Sequence, residues 1–268
     1  MLFSMTDAKS HKQRVRAAFD RAAPSYDGAA AVQREISRHL LTLARAHPPQ
    51  GPVTTLVDAG CGTGLGIEMV LDWLQPAQHV AIDFAAAMLR QPAQARRAQP
   101  VCADLEALPL GDARVDALWS SLALQWCDPA AALGEIGRVL RPGGRAWIAT
   151  LGPATLHELR GAFAAIDRAR HVIDFHDAAH WQHCAAQAGL DVLAIDHPPA
   201  AATATTLRGL LRDIKAIGAD TVGDDRRRTP LGRQAWQTLQ THYERHRRAD
   251  GLLPATYDVI LLALEKPA

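Results

Sequence analysis

The chain has 268 residues, 48% hydrophobic and 21% charged, which suits one sizeable core and argues against general disorder. Lys and Arg number 29 and Asp and Glu 28, a formal net charge of +1, which excludes a polybasic binder held to nucleic acid by bulk charge. Four cysteines, Cys61, Cys102, Cys127 and Cys184, show no C-x-x-C spacing, so they read as buried reduced thiols rather than a zinc or disulfide framework.

The first residues, MLFSMTDAKSHKQRVRAAF, carry no apolar run with a small-residue cleavage site. No stretch approaches the roughly 18 apolar residues of a bilayer span. A soluble cytoplasmic protein is expected, with no membrane and no nucleic-acid partner. From about residue 7 to 47 the pattern is helical. Val15, Ala18, Phe19 and Ala22 share one face, and Pro24 interrupts it. A second run, Ala29 to Ala46, places Val32, Ile36, Leu40 and Leu43 at helical spacing, and His47–Pro52 is a linker.

Strands and helices then alternate. TTLVDAG reads as a buried strand, LGIEMVLDWLQ as a helix, HVAID as a strand and FAAAMLRQ as a short helix. QPVCAD and VDALWSS follow as strands. PAAALGEIGRVLRPGG is a helix stopped by Pro142, Gly143 and Gly144, and RAWIATL is a strand. This alternation predicts an α/β fold with a mostly parallel sheet covered on both faces. Beyond Leu151, helices are expected near Thr155–Asp167 and over HDAAHWQHCAAQAG, then the strand LDVLAID. Leu207–Gly218 and Leu231–Arg248 read as helices around an exposed loop, Gly223–Pro230, and TYDVILLALEK is the last strand. The last two strands, joined by a helical insertion at about 203–250, are expected to close the sheet as an antiparallel pair.

The sharpest local signal is Val57-Asp58-Ala59-Gly60-Cys61-Gly62-Thr63-Gly64, between a predicted strand and a helix. Such glycines let the backbone turn tightly and approach a ligand. A dinucleotide fingerprint needs G-x-G-x-x-G; counted from Gly60 its sixth position is Leu65, and from Gly62 it is Ile67. The pattern that remains is D-x-G-x-G-x-G. An acid at the crevice repels a pyrophosphate and attracts a cation, which favours S-adenosylmethionine with its sulfonium and ammonium. Asp83 ends the second strand, where an acid accepts ribose hydroxyls. Asp104 ends the third, placed for an adenine amino group, with Leu105 against the ring. Phe84 and Ser121, beside these strand ends, complete the expected cofactor set.

At these residues, over about 50 to 152, the chain resembles the class I S-adenosylmethionine-dependent methyltransferases. The resemblance implies a Rossmann-like, mostly parallel seven-stranded sheet. Further segments narrow it: RVRAAFDRAAPSYD, VQRE, WSSLALQWCDP, TLGPATLHELRGAFAAID, DIKAIGA and LPATYDVI. With these, nearly the whole chain resembles the malonyl-acyl-carrier-protein O-methyltransferases of biotin synthesis, the BioC family. That implies methylation of the free carboxylate of a malonyl thioester on acyl carrier protein, so that fatty-acid synthesis can extend the disguised chain towards pimeloyl. It also implies a helical lid over residues 1–50 before a methyltransferase domain at 51–268. Where the family usually reads close to H-V-N-R-F, this chain has His171-Val172-Ile173-Asp174-Phe175. The basic groups available to substitute for that Arg are Arg160 and Lys215.

An ionised carboxylate needs no general base and a sulfonium leaving group needs no acid, so catalysis reduces to positioning and desolvation. Tyr26, in the segment that folds over the cofactor in the resembling family, is expected to donate to the carboxylate or line the methyl path. Gln125 and Trp126, after the fourth strand, lie where acceptors bind in this fold. His176, His180 and His183 share helical spacing without a carboxylate or Cys at metal-site spacing, and read as a solvated face, with no metal expected. Residues 208–250 hold ten Lys or Arg against six acids, a basic stretch suited to an acidic carrier. A monomer is expected. Two readings stay open: a methyltransferase of the same fold acting on another small acceptor, and a non-catalytic protein that keeps the cofactor crevice as a scaffold.

Overall fold

The computed structural model describes residues 5–91, 98–217 and 231–268. Five parallel strands, β1 (Thr55–Ala59), β2 (Gln78–Asp83), β3 (Gln99–Cys102), β4 (Val115–Ser121) and β5 (Leu140–Leu151), form most of the sheet. Three more, β6 (Asp191–Asp196), β7 (Pro199–Ala204) and β8 (Leu253–Glu265), complete it. The order is β3-β2-β1-β4-β5-β8-β6, with β8 antiparallel to both neighbours. Seven strands, mostly parallel and with the last two expected strands, β6 and β8, paired antiparallel, are what the sequence led us to expect.

β7 was not expected. Pro198 and Pro199 interrupt the strand pattern, because proline donates no ladder hydrogen bond. β6 therefore pairs with one half of the long β8 and β7 with the other, Pro199 facing Asp258. Residues 203–204, read as the start of the helical insertion, belong to this strand.

The helices are α1 (Met5–Ala22), α2 (Tyr26–Ala29), α3 (Ala31–Ala46), α4 (Glu68–Leu74), α5 (Ala86–Leu89), α6 (Pro129–Val139), α7 (His157–Ala164), α8 (Ala178–Gln187), α9 (Leu207–Ala216) and α10 (Arg233–Glu244). Side chains alternate across the sheet. Val57, Ile82, Leu118 and Ile148 meet Leu133, Ile136 and Trp181 of α6 and α8 on one side. Leu56, Trp119, Trp147 and Leu261 meet Ile36 and Leu40 of α3 and Val70 of α4 on the other. A third cluster packs Leu207, Leu210, Leu239 and Tyr243 of α9 and α10 on Leu159 and Phe163 of α7.

Three local expectations are revised. α6 stops at Val139, and β5 begins at Leu140 rather than Arg145. Pro142 cannot extend a helix and restricts the residue before it, so the chain is already extended at Leu140, which pairs with Val115. α7 starts at His157, because Leu156 adopts a left-handed φ of 54°. Cys61 and Cys184 are buried, Cys127 is half-buried, and Cys102 is exposed because it ends the edge strand β3. The predicted loop Gly223–Pro230 lies outside the described residues. No helix among the described residues is long and apolar enough to cross a membrane.

Candidate active site

The site lies at the carboxyl ends of β1, β2, β3 and β4. After β1 the glycine turn takes φ values of +76° at Gly60, +54° at Gly62 and +84° at Gly64, a region that glycine enters without steric cost. A Cβ on Gly60 would overlap Ala123, whereas one on Gly62 would point into open space. Gly60 thus lets β1 and β4 approach each other, and Gly62 leaves room for a ligand.

Asp83 lines the crevice and is 8% exposed. Its Oδ2 accepts the Gly62 N–H at 2.9 Å and its Oδ1 the Ala85 N–H at 2.8 Å, so one carboxylate fixes the glycine turn and faces the cavity. Burial pushes its pKa up to about 6, against the opposing backbone N–H donors. Asp58, in β1, does not line the crevice. It is buried, and burial together with the Asp83 charge pushes its pKa up to about 8. Asp104, Leu105, Phe84 and Ser121 all line the crevice. Ser121 Oγ lies 3.1 Å from Ser37 Oγ of α3.

The N-terminal helices are strapped across this crevice once per strand end. Thr63, after β1, donates its hydroxyl to Asp27 at 2.6 Å. The Ala87 N–H, after β2, donates to Asp20 at 2.9 Å. Lys12 reaches Asp104 at 2.6 Å and Glu106 at 2.7 Å, after β3. Apolar contact accompanies these straps, with Phe19, Tyr26 and Phe84 around Ala23, Ala85 and Met88. α3 differs from α1 and α2: it is built into the main core.

A second cavity adjoins the first. Five residues line both: Phe19, Tyr26, Gln33, Leu122 and Trp126. Trp126 sits in a single 3-10 turn at Leu124–Trp126 and packs edge-on to Phe19, with ring centroids 5.6 Å apart. Burial raises the Tyr26 pKa, so its phenol stays protonated and able to donate. Gln125 lines the second cavity and donates to the Leu122 carbonyl at 2.7 Å. Leu122 holds a left-handed φ of 59°, a strained conformation of a kind that gathers at functional sites.

The substrate residues divide. Lys215 lies on the second cavity's wall. Arg160 does not, because its Nη2 donates to the carbonyls of Pro153 at 3.0 Å and Thr155 at 2.7 Å. The other basic side chain on that wall is Arg170, paired with Asp174 at 3.1 Å. His171, beside it, stacks on Phe163 with centroids 3.6 Å apart and meets Asp167 at 2.8 Å. His176 precedes α8 rather than lying on it, and stacks on His180 at 4.1 Å.

Gln33, Arg170, Tyr257 and the three straps were not singled out as site residues from the sequence. Gln33 and Tyr257 did lie in the VQRE and LPATYDVI segments that carried the resemblance, but nothing local marks them as cavity residues.

Residues 57–148 match the methyltransferase domain family. The chain is 45% identical over 258 residues to malonyl-[acyl-carrier protein] O-methyltransferase of Dechloromonas aromatica, covering 95% of each. It is 38% identical to the biotin biosynthesis bifunctional protein BioHC of Cellvibrio japonicus, over 96% of this chain and 50% of that protein. Among solved structures it superposes on geranyl diphosphate methyltransferase in complex with S-adenosylmethionine with a TM-score of 0.52 at 17% identity, covering 86% of this chain and 85% of the other. The strand order, the glycine turn and the acids at successive strand ends define a class I methyltransferase. Within that class, the chain belongs to the malonyl-[acyl-carrier protein] O-methyltransferase family.

Proposed function

We propose that this chain transfers a methyl group from S-adenosylmethionine to the free carboxylate of malonyl carried on acyl carrier protein, giving the methyl ester used in biotin synthesis. The observation that carries this reading is the pair of adjoining cavities. The first is lined by Gly60, Gly62, Asp83, Phe84, Asp104, Leu105 and Ser121, and it meets the second at a wall with no charged side chain.

The first cavity fits the cofactor. Its lining combines the acids Asp83 and Asp104 with apolar and aromatic side chains, as a nucleoside with a cationic tail requires. Asp83 would take the ribose hydroxyls, Asp104 and Leu105 the adenine, with Phe84 and Ser121 on the flanks. Gly62 leaves space for the methionine end; Gly64 and Asp58 were expected beside it, but neither lines the cavity. Bound there, S-adenosylmethionine would supply an electrophilic methyl on a cationic sulfur, which can take back the C–S pair when an acceptor oxygen receives the methyl.

The chain's own residues then have three tasks. Tyr26 donates to the carboxylate. Phe19, Leu122 and Trp126 keep water from the path, which matters because opposite charges are neutralised as the reaction proceeds. Gln125 holds the loop after β4. No proton changes hands, and the site needs no nucleophile–base pair.

Residues 1–50 were expected to form the lid. The strap contacts support that role for α1 and α2, with α3 packed in the core behind them. Lys215 and Arg170 stand where they can meet the acceptor's carrier arm, and the basic residues of 208–250 suit an acidic carrier; Arg226, Arg227 and Arg228 lie outside the described residues.

The test is labelled methyl transfer to malonyl-carrier, with acetyl-carrier as control. Label is expected on malonyl-carrier alone. Equal labelling of acetyl-carrier, which lacks the carboxylate, would contradict carboxyl methylation.

A further inference from the structure

Two amide side chains, Gln33 and Gln125, line the second cavity. Each leaves its Oε1 buried with no hydrogen-bond partner among the described residues. A buried polar atom without a partner is costly and needs a reason. Gln125 gives the firmer reading. Amide oxygen and nitrogen are told apart by the hydrogen bonds around them, and here one end is fixed: Nε2 donates to the Leu122 carbonyl at 2.7 Å. Turned over, the amide would set oxygen against oxygen. The atom left over is therefore an acceptor, and it calls for an N–H or O–H donor.

The place of Gln125 narrows the ligand. It stands in the 3-10 turn Leu124–Trp126, next to Trp126 of the shared wall, yet it lines the second cavity only. A group that meets Gln125 thus lies on the acceptor's side, beside the reacting position but not at it. An acceptor oxygen repels a carboxylate, so the charged end of malonyl is not what it holds. A carrier presents its acyl group on the thiol of a phosphopantetheine arm, and two methylenes beyond that sulfur the arm carries an amide. Its N–H is the first hydrogen-bond donor behind the malonyl thioester.

We propose that Gln125 Oε1 accepts this amide N–H and so reads the arm directly behind the thioester. The inference rests on the carboxyl-methylation reading above and adds a specificity residue to it. Nε2 of Gln125 holds Leu122, a residue of the shared wall, while Oε1 holds the arm that brings the carboxylate to that wall. The arm is common to carrier protein and coenzyme A, so Gln125 selects pantetheine thioesters without distinguishing between those two.

The experiment compares two small acceptors that differ in one group. The malonyl thioester of N-acetylcysteamine has the N–H, and the malonyl thioester of 2-acetoxyethanethiol has an ester oxygen in its place. Both keep the free carboxylate. Each is measured with wild type, Gln125→Leu and Gln125→Met, as a substrate with labelled S-adenosylmethionine and as a competitor of malonyl-carrier. Wild type should favour the amide about 10-fold or more in kcat/KM and in inhibition constant, since the ester loses the bond and sets oxygen against Oε1. As a substrate effect it should sit mainly in KM, because the bond is the same before and during transfer. In both variants the preference should shrink to about twofold or less. Loss of the Leu122 contact slows both acceptors alike, and only a residue that senses the N–H changes their ratio.

Equal use of the two acceptors by wild type, as substrates and as competitors, would overturn the assignment with no variant needed. So would a wild-type preference that survives intact in Gln125→Leu and Gln125→Met, which moves the partner of the N–H elsewhere. If wild type leaves malonyl-carrier itself unmethylated, the carboxyl-methylation reading fails and this inference fails with it.

Discussion

The two adjoining cavities are assembled in different ways. The cofactor crevice is built mainly from loops that directly follow β1, β2, β3 and β4, so most of its lining stands within a few positions of a strand end, and α1, α2 and α3 add Lys12, Val15, Phe19, Tyr26, Gln33 and Ser37. The acceptor cavity draws on α1, α2, α3, the turn after β4, α7, the Arg170–Phe175 segment, α9 and β8, parts of the chain that meet only once the whole sheet has formed. The first is encoded locally and the second by tertiary assembly. The two should therefore fail separately when mutated.

The largest expected effect is on the crevice. Asp83→Ala removes both the ribose acceptor and the clamp on the Gly62 N–H. It should weaken S-adenosylmethionine binding by about 1.5–3 kcal/mol, the scale for hydrogen bonds to a charged group. Calorimetry on the folded variant decides: unchanged affinity would remove Asp83 from the cofactor site. Tyr26→Phe probes the shared wall. Turnover should fall about 10-fold or more, the low end for one hydrogen bond to a charged group, while cofactor affinity holds. Equal loss of both would make Tyr26 a packing residue and blur the division between the cavities.

That division also explains what was legible in the sequence. The glycine turn, Asp83, Asp104 and the parallel sheet follow from local pattern, since a strand end, a turn and a helix start are adjacent in the chain. Asp58 was legible as an acid but not as one buried off the crevice wall, because spacing does not say which way a side chain at a strand end faces. Arg160 and Arg170 show the limit from the other side. Both are basic residues near α7, and nothing local reveals that Arg160 turns back onto Pro153 and Thr155 while Arg170 reaches the cavity. β7 was hidden by its prolines, and Gln33 by its place in an ordinary amphipathic helix.

A gentler test uses pH. Burial raises Asp83 to about 6 and Asp58 to about 8, so both bind protons in the neutral range when the crevice holds no cation. A cationic ligand favours the ionised forms and pulls both values down. Binding then releases protons, and affinity should tighten as pH rises from about 6 to about 8. S-adenosylhomocysteine, which lacks the sulfonium charge, should show a shallower slope in the same calorimetric series. Equal slopes would mean that these two acids do not sense the sulfur.

The smallest effect concerns carrier docking. Replacing Arg226, Arg227 and Arg228 with Ala should raise KM for malonyl-carrier a few-fold at low salt, because rim charges act chiefly on association rate. The effect should fade as ionic strength approaches 0.15 M, where the screening length is about 8 Å. Malonyl-coenzyme A should respond much less. Parallel losses on both substrates would mean that these arginines serve the fold or the pocket.

The most direct test of two cavities meeting at an uncharged wall is a crystal structure with S-adenosylhomocysteine and a non-hydrolysable malonyl thioester analogue bound together. The account predicts the nucleoside against Asp83 and Asp104, and the free carboxylate at the shared wall within hydrogen-bond reach of Tyr26. A carboxylate seated instead on Arg170 or Lys215, away from the sulfur, would contradict it.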